Sequence, residues 1–437
     1  MSRLRLSQQH TLQILQLIRS SGSISRADVV ARTGDSPFLI SKVCDELLQG
    51  EFITEAGVGE STGGRRPTLL SLRPGFGRLV GVHLGTVNVR IALTDFQGNT
   101  IAYIKDLSHA AEGPDVAMNH VIKLINGMAE SHGLIPSDIN GIGIGISGVL
   151  DRSIGTTLYW PKLPRWVNVP VKKILEERYQ TLVVLEDTSR TSALAEVWFG
   201  GAHAAKHFIF ISIGAGTGAA LFLNGSLYEG VGGFAGEFGH ISVAEKGPLC
   251  SCGNRGCLET MVSASSLLRK ARHGLSMGLS NTLTKLSHGN PQNITLELLA
   301  QAMREGDRFA TRLLSEMGAY VGRATVGLVN LLNPELIVIG GGIASAVGEL
   351  IHPEIERVVR ESAMVQSVKQ VQIRMSKMEE KDWARGAMLL AAEEALSNSF
   401  VKWSESGRAK ASAVPFSGLK VRKSNATSVS ELTPGTN

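Results

Sequence analysis

One plan occurs twice in this chain. "RLVGVHLGTVNVRIALTDFQGNTIAYI" (Arg78–Ile104) reads as strand, glycine turn, strand, glycine turn, strand. "HFIFISIGAGTGAALFLNGSLYEG" (His207–Gly230) repeats it, with Gly214-Ala215-Gly216-Thr217-Gly218 at the first turn and Asn224-Gly225 at the second. Short apolar runs bounded by glycine turns are strand signals. Two related halves of this kind imply an internal duplication with a ligand cleft between two lobes. Helical stretches lie between and after them, including Arg308 to Leu332 and Trp383 to Leu396, so the predicted class is α/β. "ELIVIGGGIA" (Glu335–Ala344) is a buried strand running into a glycine turn, a common ligand-contact geometry in α/β sheets.

At 437 residues the chain is expected to form two or three domains. The N-terminus lacks the continuous apolar core of a signal peptide, and no charge-free apolar run is long enough to span a bilayer. Four cysteines, three of them clustered, do not make a disulfide framework, so a reducing, cytoplasmic setting with no membrane partner is expected. The net charge of +5 says little about the folded part, because the chain from Lys402 onward carries six basic and two acidic residues. The pattern stops after Ser397, and residues 398–437 are expected to be a disordered basic tail.

Residues 1–74 read as a DNA-binding unit. Leu12, Ile14, Leu15, Leu17 and Ile18 give a first helix its apolar face, and Ser23-Ile24-Ser25 breaks it. Ser25 can cap a second helix from Arg26 to Arg32, with Asp28 in the capping-box position. After the Gly34-Asp35 turn, Ser36 and Pro37 open a third helix that Gly50 stops. Phe52–Glu55 and Thr68–Leu72 follow as two short strands around a polar, glycine-rich segment. This is the layout of a winged helix-turn-helix, which places its third helix in the DNA major groove. Ser36, Phe38, Ser41 and Lys42 are the expected contacts of that helix, and Arg65 and Arg66 those of the wing. A three-helix protein-interaction module fits the same pattern; the agreement of caps, helix lengths and wing favours DNA.

"GEFGHISVAEKGPLCSCGNRGCLET" (Gly236–Thr260) gathers a histidine and three cysteines. His240, Cys250, Cys252 and Cys257 follow the spacing H-x9-C-x-C-x4-C, a tetrahedral set suited to one zinc ion. "CSCGNRGC" is too polar and glycine-rich for buried, metal-free cysteines. A filled four-ligand shell leaves no position for water, so the expected role is structural. "VLEDTSR" puts Asp187 at a strand end, either as a general base facing a cleft or as the N-cap of the next helix.

"GAGTGAALFLNGSLYEGVGGFAGEFGH" resembles the signature of the ROK family (repressors, open reading frames and sugar kinases), and "CSCGNRGCLE" resembles its zinc-binding continuation. "GIGIGISGVLD", "LEDTSRTSALAE" and "NPELIVIGGGIA" follow in the family's order. The resemblance covers roughly Arg78 to Leu396, and the preceding winged helix is the arrangement of the transcription-factor branch. It implies an actin-like, two-lobed sugar-kinase fold over residues 78–397, with a sugar site in the cleft. Glu237, His240 and Glu259 match the family's sugar contacts, and Asp187 its catalytic residue. Three departures stand out. Family kinases carry Asp-x-Gly-Gly-Thr at the first strand turn; here His83 replaces the Asp and Thr86 the second glycine, which predicts weakened ATP-magnesium binding. Glu186 replaces an Asn beside the catalytic position, which alters what the sugar site accepts. Ser189 and Ser147 stand where kinases usually have Asn and Pro. The expected protein is therefore a sugar-responsive regulator and not an enzyme, most simply a repressor. Asp187 is then vestigial, Asp187, Glu186, Glu237, His240 and Glu259 hold the sugar, and a homodimer or homotetramer meets operator DNA. An ATP-dependent sugar kinase is the alternative.

Overall fold

A computed structural model describes residues 6–60 and 66–405. Arg65 and residues 406–437 of the expected tail lie outside the described residues.

The N-terminal unit runs α1 (Leu6–Ser20), β1 (Ile24–Ser25), α2 (Arg26–Thr33), α3 (Pro37–Gln49), β2 (Ile53–Val58) and β3 (Thr68–Leu72). Ser25 caps α2 by accepting from the Asp28 amide at 3.1 Å, and Ser36 caps α3 by accepting from Leu39 at 3.3 Å. Ile14, Leu15, Ile18, Val29, Ile40, Val43 and Leu47 close its core. Ile24-Ser25 is more than a break in the chain. It pairs with Leu70 and Leu69, giving a three-stranded sheet in the order β1-β3-β2. Two residues are too few to show a period, so sequence pattern cannot reveal such a strand.

The duplication is a topological fact. The first sheet contains β4 (Leu79–Leu84), β5 (Asn88–Thr94), β6 (Thr100–Leu107) and β7 (Gly141–Ile146). After β7 the chain makes a small separate sheet of β8 (Val149–Asp151), β9 (Thr156–Tyr159) and β10 (Val167–Val169), then returns as β11 (Leu182–Asp187). The second sheet contains β12 (Phe208–Ile213), β13 (Thr217–Leu223), β14 (Ser226–Leu227), β15 (Leu336–Gly340) and β16 (Gln372–Met375). Their orders, β11-β7-β4-β5-β6 and β14-β13-β12-β15-β16, are the same arrangement read from opposite ends. In each, an antiparallel meander is extended by two parallel strands. Each lobe has its own apolar core.

Alternation in β7 explains how helices seat on the first sheet. Ile142, Ile144 and Ile146 are fully buried on one face. Gly141, Gly143 and Gly145 present the other face, where no side chain intervenes. A Cβ on Gly143 would lie 1.7 Å from the Ala387 carbonyl, and one on Gly81 of β4 would lie 1.9 Å from that of Ala384. The last helix, Glu380–Glu405, therefore rests directly on sheet backbone. The helix Thr188–Trp198 packs beside it, so closely that a Cβ on Gly386 would lie 2.0 Å from the Thr191 carbonyl.

That last helix corrects the sequence reading, which ended it at Leu396 and began disorder at residue 398. Helix continues to Glu405. Leu396, Phe400 and Trp403 keep helical spacing, and Phe400 is buried. Phe52 of the N-terminal unit packs on Phe400 and Trp403 with ring centroids 5.8 and 5.3 Å away. The surrounding Ser and Lys residues hide this stripe in composition. The N-terminal unit consequently shares one core with Met388, Leu389, Ala392, Ala395 and Leu396. Among the described residues no helix is long and apolar enough to cross a membrane.

Candidate functional site

The cleft between the lobes encloses about 480 Å³. Asp187, Glu237, His240 and Glu259 all line it, although they come from three separate elements, Glu237 and His240 sharing one short turn. Asp187 ends β11 and also caps the helix Thr188–Trp198, its Oδ1 accepting from the Ser189 amide at 2.7 Å. Asp187 therefore has the N-cap role read from the sequence and also faces the cleft. Burial holds its carboxyl above the usual range, against the backbone hydrogen bonds that favour the charged form.

Glu237 follows Gly236, whose φ of 102° and close approach to the Ala219 carbonyl exclude a side chain. This turn brings Glu237 into the cleft. Burial raises the Glu237 carboxyl; His240 opposes the shift, and the charges of Asp187 and Glu259 add to it. Glu259 sits in the first turn of the helix Leu258–Val262, with Oε2 accepting from the Thr217 amide at 2.9 Å.

The four expected metal ligands come together. The ligating atoms of His240, Cys250, Cys252 and Cys257 all lie within 4.8 Å of one another. The Cys252 and Cys257 sulfurs are 3.6 Å apart, and Cys250 Sγ is 3.5 Å from His240 Nδ1. A tetrahedron with zinc-type bond lengths has edges of roughly 3.8 Å between sulfurs and roughly 3.6 Å from nitrogen to sulfur. The donor set therefore fits such an ion. Nδ1 of His240 faces the sulfurs, and its Nε2 lies 3.7 Å from Glu237 Oε2 in the cleft. A ring that gives Nδ1 to a metal carries its proton on Nε2, which makes that nitrogen a donor toward the cleft.

Glu186 also lines the cleft, but its carboxylate is already engaged. Arg152 Nη1 donates to both oxygens at 3.1 and 2.9 Å, Oε1 accepts from the Asp187 amide at 2.8 Å, and Arg190 stands 3.6 Å away. Both arginines reach on to the loop before Glu237: Arg152 and Arg190 donate to the Gly233 carbonyl, and Arg190 also to Ala235. Across the cleft, Lys162 pairs with Glu259 at 3.1 Å and donates to the Ala215 carbonyl.

Arg152, Lys162 and Arg190 were not singled out in the sequence. The Arg190 pairing has only a weak local signal, since Glu186 lies on β11 and Arg190 in the first turn of the next helix. Lys162 has none, because its partners are more than fifty residues away.

The glycine turn after β4 is occupied differently from its counterpart after β12. His83 stacks near Trp383, with ring centroids 5.5 Å apart, and the Arg90 guanidinium lies 4.6 Å over the same indole. Glu380 pairs with Arg90 at 3.1 Å and with Lys105 at 2.7 Å. Burial, helped by Arg90 and opposed by Glu380, pushes the His83 pKa down to about 3. His83 is thus a neutral ring in a wall of aromatic and cationic groups.

On α3, Ser36, Phe38 and Lys42 are exposed, with Phe38 80% exposed, and Ser41 is half-buried. Arg66 is exposed before β3. Asp45, on the outer face of α3, is paired with Arg26 at 2.7 Å.

The pattern of the ROK family matches residues 79–394. A xylose repressor of Caldicellulosiruptor bescii is 30% identical over 392 residues, covering 90% of this chain and 97% of the relative. A glucokinase of Thermotoga maritima is 32% identical over 282 residues, covering 64% of this chain and 87% of the relative. The solved structure of a ROK family transcriptional regulator, a homologue of the E. coli MLC protein, superposes with a TM-score of 0.76 at 26% identity, over 92% of this chain and 100% of the other. That match covers more of this chain than residues 79–394 make up, whereas the glucokinase match covers 64% of it. By sequence and by fold, the chain belongs to the ROK family.

Proposed function

We propose that this protein is a sugar-responsive transcriptional regulator, acting as a repressor. Residues 1–74 bind operator DNA, with Ser36, Phe38, Ser41 and Lys42 of α3 entering the major groove and Arg65 and Arg66 reaching from the wing. Residues 78–397 bind a sugar or sugar derivative in the cleft. Asp187, Glu237 and Glu259 accept from its hydroxyls and His240 donates from Nε2, while Glu186 orders Arg152 and Arg190 beside them. One zinc ion on His240, Cys250, Cys252 and Cys257 fixes the Glu237 and Glu259 segments to one another. The assembly is a cytoplasmic homodimer or homotetramer, matching a two-fold operator.

The observation that carries this reading is the union, in one chain, of a capped, exposed α3 with a cleft where three carboxylates and a metal-oriented histidine converge. Carboxylates paired with one fixed donor suit polyhydroxyl ligands, whose hydroxyls both donate and accept. The long xylose-repressor match, over 90% of this chain, supports the same reading.

A sugar kinase is the second reading, favoured by the retention of Asp187 at a cleft and by the glucokinase relative. Against it, His83 supplies no carboxylate for magnesium, and it and Arg90 stack on Trp383 beside the first glycine turn. Incubation with ATP-magnesium and D-xylose, D-glucose or N-acetylglucosamine separates the two. The regulator gives no turnover and a footprint on DNA upstream of its own gene. Sustained phosphorylation without a footprint would reverse the assignment.

A further inference from the structure

The helix Thr188–Trp198 starts at the cleft and ends at the N-terminal unit. Asp187 caps its first turn and lines the cleft. Eleven residues of α-helix span roughly 16 Å. At its far end, the Trp198 ring lies 4.5 Å from the guanidinium of Arg19, which belongs to α1. Arg19 is itself buried, and its Nε donates to the Phe96 carbonyl of the first lobe at 3.1 Å. Phe96 packs on Phe76, and Phe76 on Phe52, with centroids 5.6 and 5.0 Å apart.

We propose that Arg19 is the positioning residue through which the cleft controls the N-terminal unit, with the helix Thr188–Trp198 as the rigid link. This extends the regulator reading, on which its biological meaning rests.

Three features make the contact sensitive to position. A buried guanidinium is costly unless its donors are matched. Here burial lowers the Arg19 pKa to about 10, with Glu393 opposing, and Nη2 has no hydrogen-bond partner among the described residues. The residue therefore depends on the Trp198 face and one carbonyl, both of which demand a single placement. An apolar side chain would fill the same space without that demand. The link is also stiff: the last helix is pressed on its middle at Gly386, so a shift at the Asp187 end is transmitted as a tilt and is not absorbed by bending. Gln16 Nε2, 3.3 Å from Ser397 Oγ, holds α1 to that same last helix and gives the tilt a pivot.

Hydrogen exchange in four full-length proteins tests this: the native chain, Asp187→Ala, Arg19→Met and the double variant. Asp187→Ala removes the cap at the cleft end without needing any ligand. It is expected to speed exchange at least fivefold in residues 189–198 and at least threefold in residues 15–20 of α1. In the Arg19→Met background the same change still speeds residues 189–198 but leaves α1 at its new rate. That dependence is what a merely structural Arg19 would not produce. An α1 response to Asp187→Ala that is absent, or equal with and without Arg19, overturns the proposal. Should Asp187→Ala not fold, Asp187→Ser keeps a shorter cap acceptor and is read the same way. Neither DNA nor sugar enters the measurement, so it can fail while the regulator reading stands, and the reverse.

Discussion

His83 offers a sharp test of the first glycine turn, because its titration links that turn to the stability of the first lobe. A histidine has an ordinary pKa near 6.5 when unfolded, and burial lowers His83 to about 3 in the fold. The sign follows from proton uptake. Below pH 6.5 the unfolded chain binds a proton there that the folded chain refuses until about pH 3. Stability is therefore complete above pH 6.5 and is lost as pH falls through that window. Between pH 7 and pH 5 the loss amounts to about 2 kcal/mol. His83→Gln keeps a polar side chain of similar reach and removes the titration. All five tryptophans, Trp160, Trp166, Trp198, Trp383 and Trp403, lie in the first lobe or on helices packed against it, so their fluorescence follows the relevant unfolding in urea. Carboxylates and metal ligands titrate alike in both proteins and cancel in the comparison. The native protein should lose about 2 kcal/mol more than His83→Gln between pH 7 and pH 5. Equal losses would refute the neutral histidine and, with it, the account of why this turn differs from a nucleotide loop.

Four further outcomes follow from the structure. Glu237→Gln should weaken sugar binding by roughly 10- to 100-fold, the effect of a charged hydrogen-bond acceptor, and leave operator affinity intact by fluorescence anisotropy. In the native protein, calorimetry should show that affinity falling as pH drops, beginning above the usual carboxylate range, because burial raises both Asp187 and Glu237. Gly143→Ala forces a methyl against the Ala387 carbonyl and should destabilise by about 1–3 kcal/mol or more in urea, with the last helix displaced. Cys257→Ser should abolish stoichiometric zinc by elemental analysis and lower the melting temperature of the second lobe.

The large features were legible for identifiable reasons. Glycine turns punctuate both meanders, so the duplicated strands show in the sequence. The spacing of Cys250, Cys252 and Cys257 is local, so the four-donor cluster with His240 shows too. Capping residues such as Ser25 and Ser36 act over three positions and marked α2 and α3 well. What was missed depends on distance along the chain. β1 exists only because β3, more than forty residues later, offers an edge. The last helix continues past Ser397 only because Phe52 receives Phe400 and Trp403. Glu186 lines the cleft, but its pairing with Arg152, more than thirty residues earlier, leaves no local signal.

The central claim is that cleft and operator are coupled by binding and not by turnover. Reciprocity tests it directly: a sugar that changes operator affinity by some factor must have its own affinity changed by the same factor when operator is present. Sugar titration by calorimetry into free and operator-bound protein supplies both numbers. The account predicts weaker sugar binding to the DNA complex, by the factor with which sugar weakens operator binding, with the sugar recovered unchanged. Equal sugar affinity for free and DNA-bound protein, or recovery of phosphorylated sugar when ATP-magnesium is added, would contradict it.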